Sequence, residues 1–244
     1  MSLATKYRPK TLEEVVGQNI TKTILLKQVS TGNIKNVYLF TGKTGTGKTT
    51  ISRALANAIN GGNGDAIEID AASNSGVDSV RDLIKSAGER SLTGKYKVII
   101  IDEVHVFSNT AWQAFLKYLE EPSPYTVFIL CTTEVQKVPA TILNRVQQFN
   151  LTQLSDMEIE NRLDFICKAE HLSYTEEALK YIAGISEGSM RDAICKLERC
   201  VSYSNYVELN SVITCLGQYS YSTFFDLVNS IIDGDEMKLI SIIE

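Results

Sequence analysis

Five short apolar runs mark the first 150 residues, at 37–41, 66–70, 97–102, 126–131 and 146–150. Each is too short for a stable helix and is bounded by turn-forming residues, which reads as strand. Between most of them lie segments whose apolar positions recur every three to four residues, at 20–31, 50–59, 76–87 and 110–120, the last stopped by Pro122 and Pro124. Strand alternating with helix predicts a largely parallel sheet covered by helices. The run Val98-Ile99-Ile100-Ile101 is apolar on both faces, as suits a central buried strand.

Beyond Asn150 the strand pattern stops. Segments 155–171, 174–186 and 189–203 read as amphipathic helices. Ser155 precedes Asp156 and Glu158, and Ser173 precedes Glu176 and Glu177, which suits N-caps followed by acidic first turns. A small all-helical second domain is expected over 153–216, after an α/β domain over 1–152. Residues 217–244 hold two more helical patterns, 221–232 and 236–243, with the apolar stripe Leu239, Ile240, Ile242 and Ile243 still running at the end. So short a helical pair rarely buries its own apolar face. It is expected to belong to a larger helical element that is cut short, or to pair with another chain. There are no repeats and no low-complexity stretches.

Chemistry enters at the first apolar run. Gly42-Lys43-Thr44-Gly45-Thr46-Gly47-Lys48-Thr49 fits the phosphate-loop pattern G-x-x-x-x-G-K-[ST]. It follows a strand pattern and leads through Thr50 into a helical one, the context the motif needs. Glycines let backbone N–H groups curl around a phosphate, and the helix N-terminus adds its positive dipole. Lys48 is placed to reach the β- and γ-phosphates, and the Thr49 hydroxyl to ligate Mg²⁺. The chain is expected to bind a nucleoside triphosphate.

Asp102-Glu103 closes the third apolar run. An acid at a strand end beside a phosphate loop can hold Mg²⁺, and a second acid next to it can deprotonate the attacking water. Cys131-Thr132-Thr133 closes the fourth run, where a threonine hydroxyl can sit between the metal site and that water. Arg145 and Arg191 are candidates for stabilising charge on the transferring phosphoryl group, from their own chain or a neighbour.

Composition constrains the setting. With 244 residues, 44% hydrophobic and 22% charged, the chain can bury a sizeable core. No apolar run approaches the roughly 18 residues of a membrane span, and the first residues lack the apolar core of a signal peptide. A cytoplasmic protein with no membrane partner is expected. Cys131, Cys167, Cys195, Cys200 and Cys215 are scattered, and His105 and His171 lie far apart, so neither a disulfide frame nor a zinc site is predicted. The net charge of −5 supplies no global field for nucleic acid, so any DNA contact must come from a local patch or from helix N-termini.

Further motifs stand in a specific order: Ala4-Thr5-Lys6-Tyr7-Arg8-Pro9 with Val15-Val16-Gly17-Gln18, Glu68-Ile69-Asp70-Ala71-Ala72-Ser73, Ile101-Asp102-Glu103-Val104-His105, Leu116-Lys117-Tyr118-Leu119-Glu120-Glu121-Pro122, and Gly188-Ser189-Met190-Arg191-Asp192-Ala193. Together with the phosphate loop, they resemble the bacterial clamp-loader ATPases, the gamma/tau subunits of DNA polymerase III, within the AAA+ family. The resemblance runs from about residue 4 to about residue 217. It implies an AAA+ P-loop fold with a five-stranded parallel sheet, a helical lid and the start of a helical collar over 217–244. It implies an ATPase using ATP and Mg²⁺ within a DNA polymerase holoenzyme, which loads a sliding clamp onto primer-template DNA.

Residue by residue, the resemblance puts Tyr7, Arg8, Val15 and Val16 near the adenine and ribose. Thr132 becomes the first sensor of the γ-phosphate and Arg191 the second, reaching from the lid. Arg145 becomes the arginine finger, acting on ATP held by the adjacent subunit. The implied partners are other clamp-loader subunits, in a hetero- or homo-pentamer joined through the collar. The helix starting near Ser73-Asn74-Ser75-Gly76 would face the DNA. Two departures stand out. Asn144-Arg145-Val146 replaces the family's Ser-Arg-Cys, and the glycine turn 60–65 occupies the place of the family's four-cysteine zinc module. Two other readings remain open at this point: another AAA+ DNA-remodelling ATPase, such as a branch-migration motor, or a nucleotide-gated scaffold with little turnover.

Overall fold

The computed structural model of the chain describes residues 1–62, 66–73, 76–91, 94–217, 221–234 and 237. The short helix α1 (Leu3–Lys6) and the longer α2 (Asn19–Thr31) precede a five-stranded parallel sheet. Its strands are β1 (Val37–Thr41), β2 (Ile67–Asp70), β3 (Lys97–Asp102), β4 (Thr126–Thr132) and β5 (Gln147–Asn150), ordered β2-β3-β4-β1-β5. The connecting helices are α3 (Lys48–Ile59), α4 (Val77–Ala87), α5 (Asn109–Glu120) and the single turn α6 (Ala140–Leu143). The five expected strands and the helices between them are all present, with ends shifted by a residue or two.

Alternation along the strands sorts the core into two layers. Val37, Leu39, Ile99, Ile101, Phe128 and Leu130 face α4 and α5, where Val80, Trp112, Phe115 and Tyr118 meet them. Tyr38, Phe40, Val98, Ile100, Val127 and Ile129 face the other way, onto Leu25 of α2 and Ile51, Ala54 and Leu55 of α3. Burial on both faces is what a parallel sheet between helices requires. The central place belongs to β4, buried along its whole length, with β3 beside it. The edge strand β2 is mostly exposed.

The sheet order decides the chemistry. Because β4 lies between β1 and β3, the carboxyl ends of all three strands meet beside the start of α3. The crossover from β1 runs to one side of the sheet and β5 lies on the other, so a crevice opens at the carboxyl edge.

A second cluster is helical, built from α7 (Asp156–Ala169), α8 (Glu176–Gly184), α9 (Met190–Tyr203) and α10 (Leu209–Leu216) around Ile159, Leu163, Ile166, Leu179, Ile182, Ile194, Leu197 and Val212. A two-residue parallel pair, β6 (Ser173–Tyr174) with β7 (Tyr206–Val207), adds to the expected helices. Ser155 caps α7 through a complete capping box with Glu158. Ser173 does not cap α8: it lies in β6, and the Thr175 hydroxyl accepts the Ala178 N–H instead. The helix α11 (Tyr221–Asp233) follows; apart from Met237, the expected helix at 236–243 lies outside the described residues. Cys131, Cys167, Cys200 and Cys215 are buried free thiols, and Cys195 is exposed. Among the described residues no helix is long and apolar enough to cross a membrane.

The N-terminal strap joins the two clusters. Leu3, Ala4, Tyr7 and Val16 pack against the helical core, whereas Leu12 and Val15 are buried with α3 under the sheet. Arg162 of α7 donates to the Tyr7 carbonyl at 2.7 Å, Glu198 of α9 accepts the Leu3 N–H at 3.2 Å, and Glu170 accepts from the Tyr7 hydroxyl. On the sheet side, Asn57 of α3 donates to the Lys10 carbonyl at 3.1 Å. Arg8 and Pro9 sit at the crossing point.

Candidate active site

The loop between β1 and α3 turns sharply because its glycines adopt backbone angles that other residues resist. Gly42 has φ +149°, and a Cβ there would meet the Leu151 carbonyl oxygen at 2.6 Å. Gly45 has φ +81°, and a Cβ there would meet the Ser189 hydroxyl at 1.9 Å. The second contact is informative, because Ser189 is the N-cap of α9, its hydroxyl accepting the Asp192 N–H. The loop thus touches the N-terminus of a lid helix directly.

The Lys48 ammonium lies inside this turn, only 7% exposed, donating to the carbonyls of Gly42 at 2.9 Å and Lys43 at 3.1 Å. Among the described residues it forms no ion pair. A buried ammonium satisfied only by neutral carbonyls is a strong attractor for an anion. Thr46 closes the loop by donating to the Lys43 carbonyl at 2.9 Å. One turn on, the Thr49 hydroxyl donates to Oδ2 of Asp102 at 2.7 Å, joining the start of α3 to the end of β3. Among the described residues no three His, Cys, Asp or Glu side chains cluster as a metal cage. One carboxylate and one hydroxyl suit Mg²⁺, which keeps several waters and takes phosphate oxygens.

Glu103 follows with a left-handed backbone, φ +50°. Its Oε2 accepts from the Thr133 hydroxyl at 3.1 Å and the Thr133 N–H at 3.3 Å. Among the described residues Oε1 has no hydrogen-bond partner.

These groups line one cleft of about 1030 Å³, part of it open to solvent. It gathers Thr44, Gly45, Thr46 and Gly47 from the loop, Lys48, Thr49 and Thr50 from the start of α3, Asp102 from the end of β3 and Glu103 just after it, Tyr7, Arg8, Val15 and Val16 from the strap, and Arg191 from α9. Burial, then the nearby guanidinium of Arg53 and more weakly that of Arg191, pull the Arg8 pKa below its ordinary value, while Glu68 opposes. Cations this crowded are relieved by a polyanion between them.

The remaining expected residues fall elsewhere. Gly42 and Lys43 shape the loop through their carbonyls, and Lys43 borders a shallower hollow with Thr133. Thr132 does not reach the cleft. It is fully buried at the end of β4, its hydroxyl against Nδ1 of His105 and accepting the Glu134 N–H. The next residue, Thr133, escapes the strand and reaches Glu103. The pleat turns neighbouring side chains to opposite faces, so a shift of one residue changes which hydroxyl meets the site. Arg145 lies off the cleft, 43% exposed and 3.3 Å from Glu120.

Ala4, Pro9 and Met190, which belong to the quoted motifs but carry no assigned role, also line the cleft, with Leu154, Arg162 and Ile194. Met190 and Ile194 flank Arg191 at helical spacing, and Pro9 follows Arg8, so proximity in sequence could have found them. Arg162 is found only in three dimensions: it donates to the Tyr7 carbonyl, lies 5.0 Å from the Phe165 ring centre, and burial lowers its pKa.

Comparisons with known proteins identify the relatives of this chain. Residues 65–155 match the family described as DNA polymerase III, delta subunit, and residues 158–205 match the DNA polymerase III clamp loader subunit, ATPase lid domain. DNA polymerase III subunit tau of Escherichia coli is 36% identical over 99% of this chain and 41% of its own length. Subunit tau of Bacillus subtilis is 40% identical over 81% of this chain and 39% of its own length. Subunit gamma of Buchnera aphidicola subsp. Schizaphis graminum is 34% identical over 99% of this chain and 72% of its own length. The chain thus spans about two-fifths of the tau subunits. Among solved structures, the Thermotoga maritima RuvB Holliday junction branch migration motor superposes with a TM-score of 0.74 at 19% identity, covering 86% of this chain and 72% of that one. At that identity the likeness shows the fold alone.

Proposed function

The chain belongs to the gamma/tau family of bacterial DNA polymerase III, and on that premise we propose that it is the ATP-hydrolysing subunit of a clamp loader. The observation that carries this reading is the buried, unpaired Lys48 ammonium facing a cleft shared by Arg8, Arg191 and two strand-end carboxylates. In the proposed cycle the loop N–H groups and Lys48 hold the β- and γ-phosphates, and the apolar strap residues hold the base. Thr49 and Asp102 would hold Mg²⁺, which supplies neutralisation of the phosphate charge. Glu103 accepts a proton from the attacking water at its free Oε1. The water oxygen bonds to the γ-phosphorus as the bond to the bridging oxygen breaks, and ADP carries the leaving electron pair. Thr133, rather than Thr132, is the threonine assigned to orient this step. Arg191 reaches the phosphates from the lid, and Arg145, exposed and away from its own cleft, serves the neighbouring subunit's nucleotide.

The division at 152 and 216 then separates an ATPase domain, a lid and the beginning of a collar. The assembly is a pentamer with other clamp-loader subunits in the cytoplasm. It grips a sliding clamp and primer-template DNA with ATP bound and releases both on hydrolysis. DNA contact is assigned to the N-terminus of α4, where backbone amides meet phosphate without a basic patch. Of the residues before it, Asn74 and Ser75 lie outside the described residues.

The test is steady-state ATP hydrolysis by the full-length protein assembled with its companion subunits, with and without clamp and primed DNA. Joint stimulation by the two is expected. A rate indifferent to both overturns the clamp-loader reading and leaves a plain nucleotide-binding AAA+ chain.

A further inference from the structure

His105 stands on a single turn, Val104–Val106, directly after Glu103. Its side chain is 12% exposed, and both ring nitrogens meet oxygen atoms. Nδ1 lies 3.1 Å from the Thr132 hydroxyl and 3.3 Å from Oε2 of Glu103, and Nε2 lies 3.2 Å from Oε1 of Glu134. The Thr132 hydroxyl also accepts the Glu134 N–H at 3.0 Å, and Lys137 holds the same Glu134 oxygen at 2.9 Å. These contacts tie the turn after β3 to the turn after β4 in a closed ring. No residue of the phosphate loop takes part.

A glutamate side chain has three free torsions, and a general base acts only when its carboxylate is held in place. Glu103 is 37% exposed, so packing alone does not fix it. Its Oε2 is held on one side by Thr133 and bounded on the other by the His105 ring. The ring is itself braced by Glu134, whose carboxyl the Lys137 hydrogen bond keeps below its usual pKa.

We infer that His105 is a positioning residue for Glu103, and that Glu134 acts through it. The pair sets where the Glu103 carboxylate lies without touching the nucleotide. The inference rests on the cleft being an ATPase site.

Two substitutions separate this role from mere support. The amide nitrogen of Asn falls where Nδ1 stood, facing Glu103, whereas that of Gln falls where Nε2 stood, facing Glu134. In the assembled complex His105→Gln is expected to lower kcat about 10- to 100-fold, as loss of a bracing partner does elsewhere, and His105→Asn to retain most of it. Glu134→Gln, on a half-exposed turn, should lower kcat in the same direction, with KM and ATP affinity unchanged in all three. In a Glu103→Gln background, His105→Gln should cost nothing further.

Equal rates for the Asn and Gln variants, or a loss of ATP affinity parallel to the loss of rate, overturn the inference. Should His105→Gln fail to fold, judged by its melting temperature, Glu134→Gln decides: unchanged kcat there refutes the role. A wild-type complex without turnover overturns the ATPase reading as well, whereas normal turnover with indifferent variants overturns this inference alone.

Discussion

At the scale of single residues, Lys48 lies in the cleft, and Thr133 stands beside it as a donor to Glu103. Lys48 is buried without a carboxylate partner, a state that costs free energy until an anion arrives. Lys48→Ala removes that anion's main counter-charge, and a titration should find ATP binding abolished; affinity equal to wild type would refute the assignment. The two threonines at the end of β4 should behave differently. Thr132→Val keeps the shape of a fully buried side chain but leaves the Glu134 N–H without its acceptor. It should lower stability by about 1–3 kcal/mol, read as a lower denaturation midpoint. Thr133→Val removes a donor to Glu103 and should slow hydrolysis with little effect on stability. If the two variants exchange these phenotypes, Thr132 is the sensor after all. The sequence marks the pair Thr132-Thr133 clearly, but choosing between them needs the register of β4, which is fixed by pairing with β1 and β3.

At the scale of elements, the phosphate loop and α9 form one mechanical unit. A Cβ on Gly45 would overlap the Ser189 hydroxyl at 1.9 Å and its Cβ at 2.7 Å, on a backbone that already resists side chains. Gly45→Ala should therefore push the N-terminus of α9 away and carry Arg191 with it. ATP affinity is expected to fall, and adding Ser189→Gly should recover part of it, since both overlapping atoms are removed. Ser189→Gly alone costs a few tenths of a kcal/mol at the cap, so a double variant no better than Gly45→Ala would refute the steric coupling. Both partners are legible as motif residues. Their contact is not, because they lie 144 positions apart in the chain.

At the scale of the whole molecule, the strap packs against both the helical cluster and the sheet. Leu3 and Tyr7 belong by packing to the helices, and Leu12 and Val15 to the sheet. Removing residues 1–7 should increase amide exchange in α7 and α9 while leaving the core strands protected; unchanged exchange in those helices would show that the strap carries no load. Arg145 points to a larger scale still. Paired with Glu120 and distant from its own cleft, it is expected to matter only between subunits. Arg145→Ala should leave ATP affinity of the isolated chain intact and lower hydrolysis in the assembly. An equal loss in a verified monomer would mean that it acts on its own nucleotide.

The sequence by itself determined the strand and helix order, the phosphate loop and the acidic strand end, because periodicity, glycine placement and charge are local properties. It missed α1, α6, α10 and the β6–β7 pair, and it placed the α8 cap at Ser173 rather than Thr175, since short elements and caps leave weak local signals. Only the tertiary structure decided that β4 separates β1 from β3, that Arg162 pins the strap, and that His105 and Glu134 brace Glu103. Apart from the His105–Glu103 contact, these join residues far apart in the chain, and burial of the two sheet faces, rather than any local pattern, brings the strand ends together.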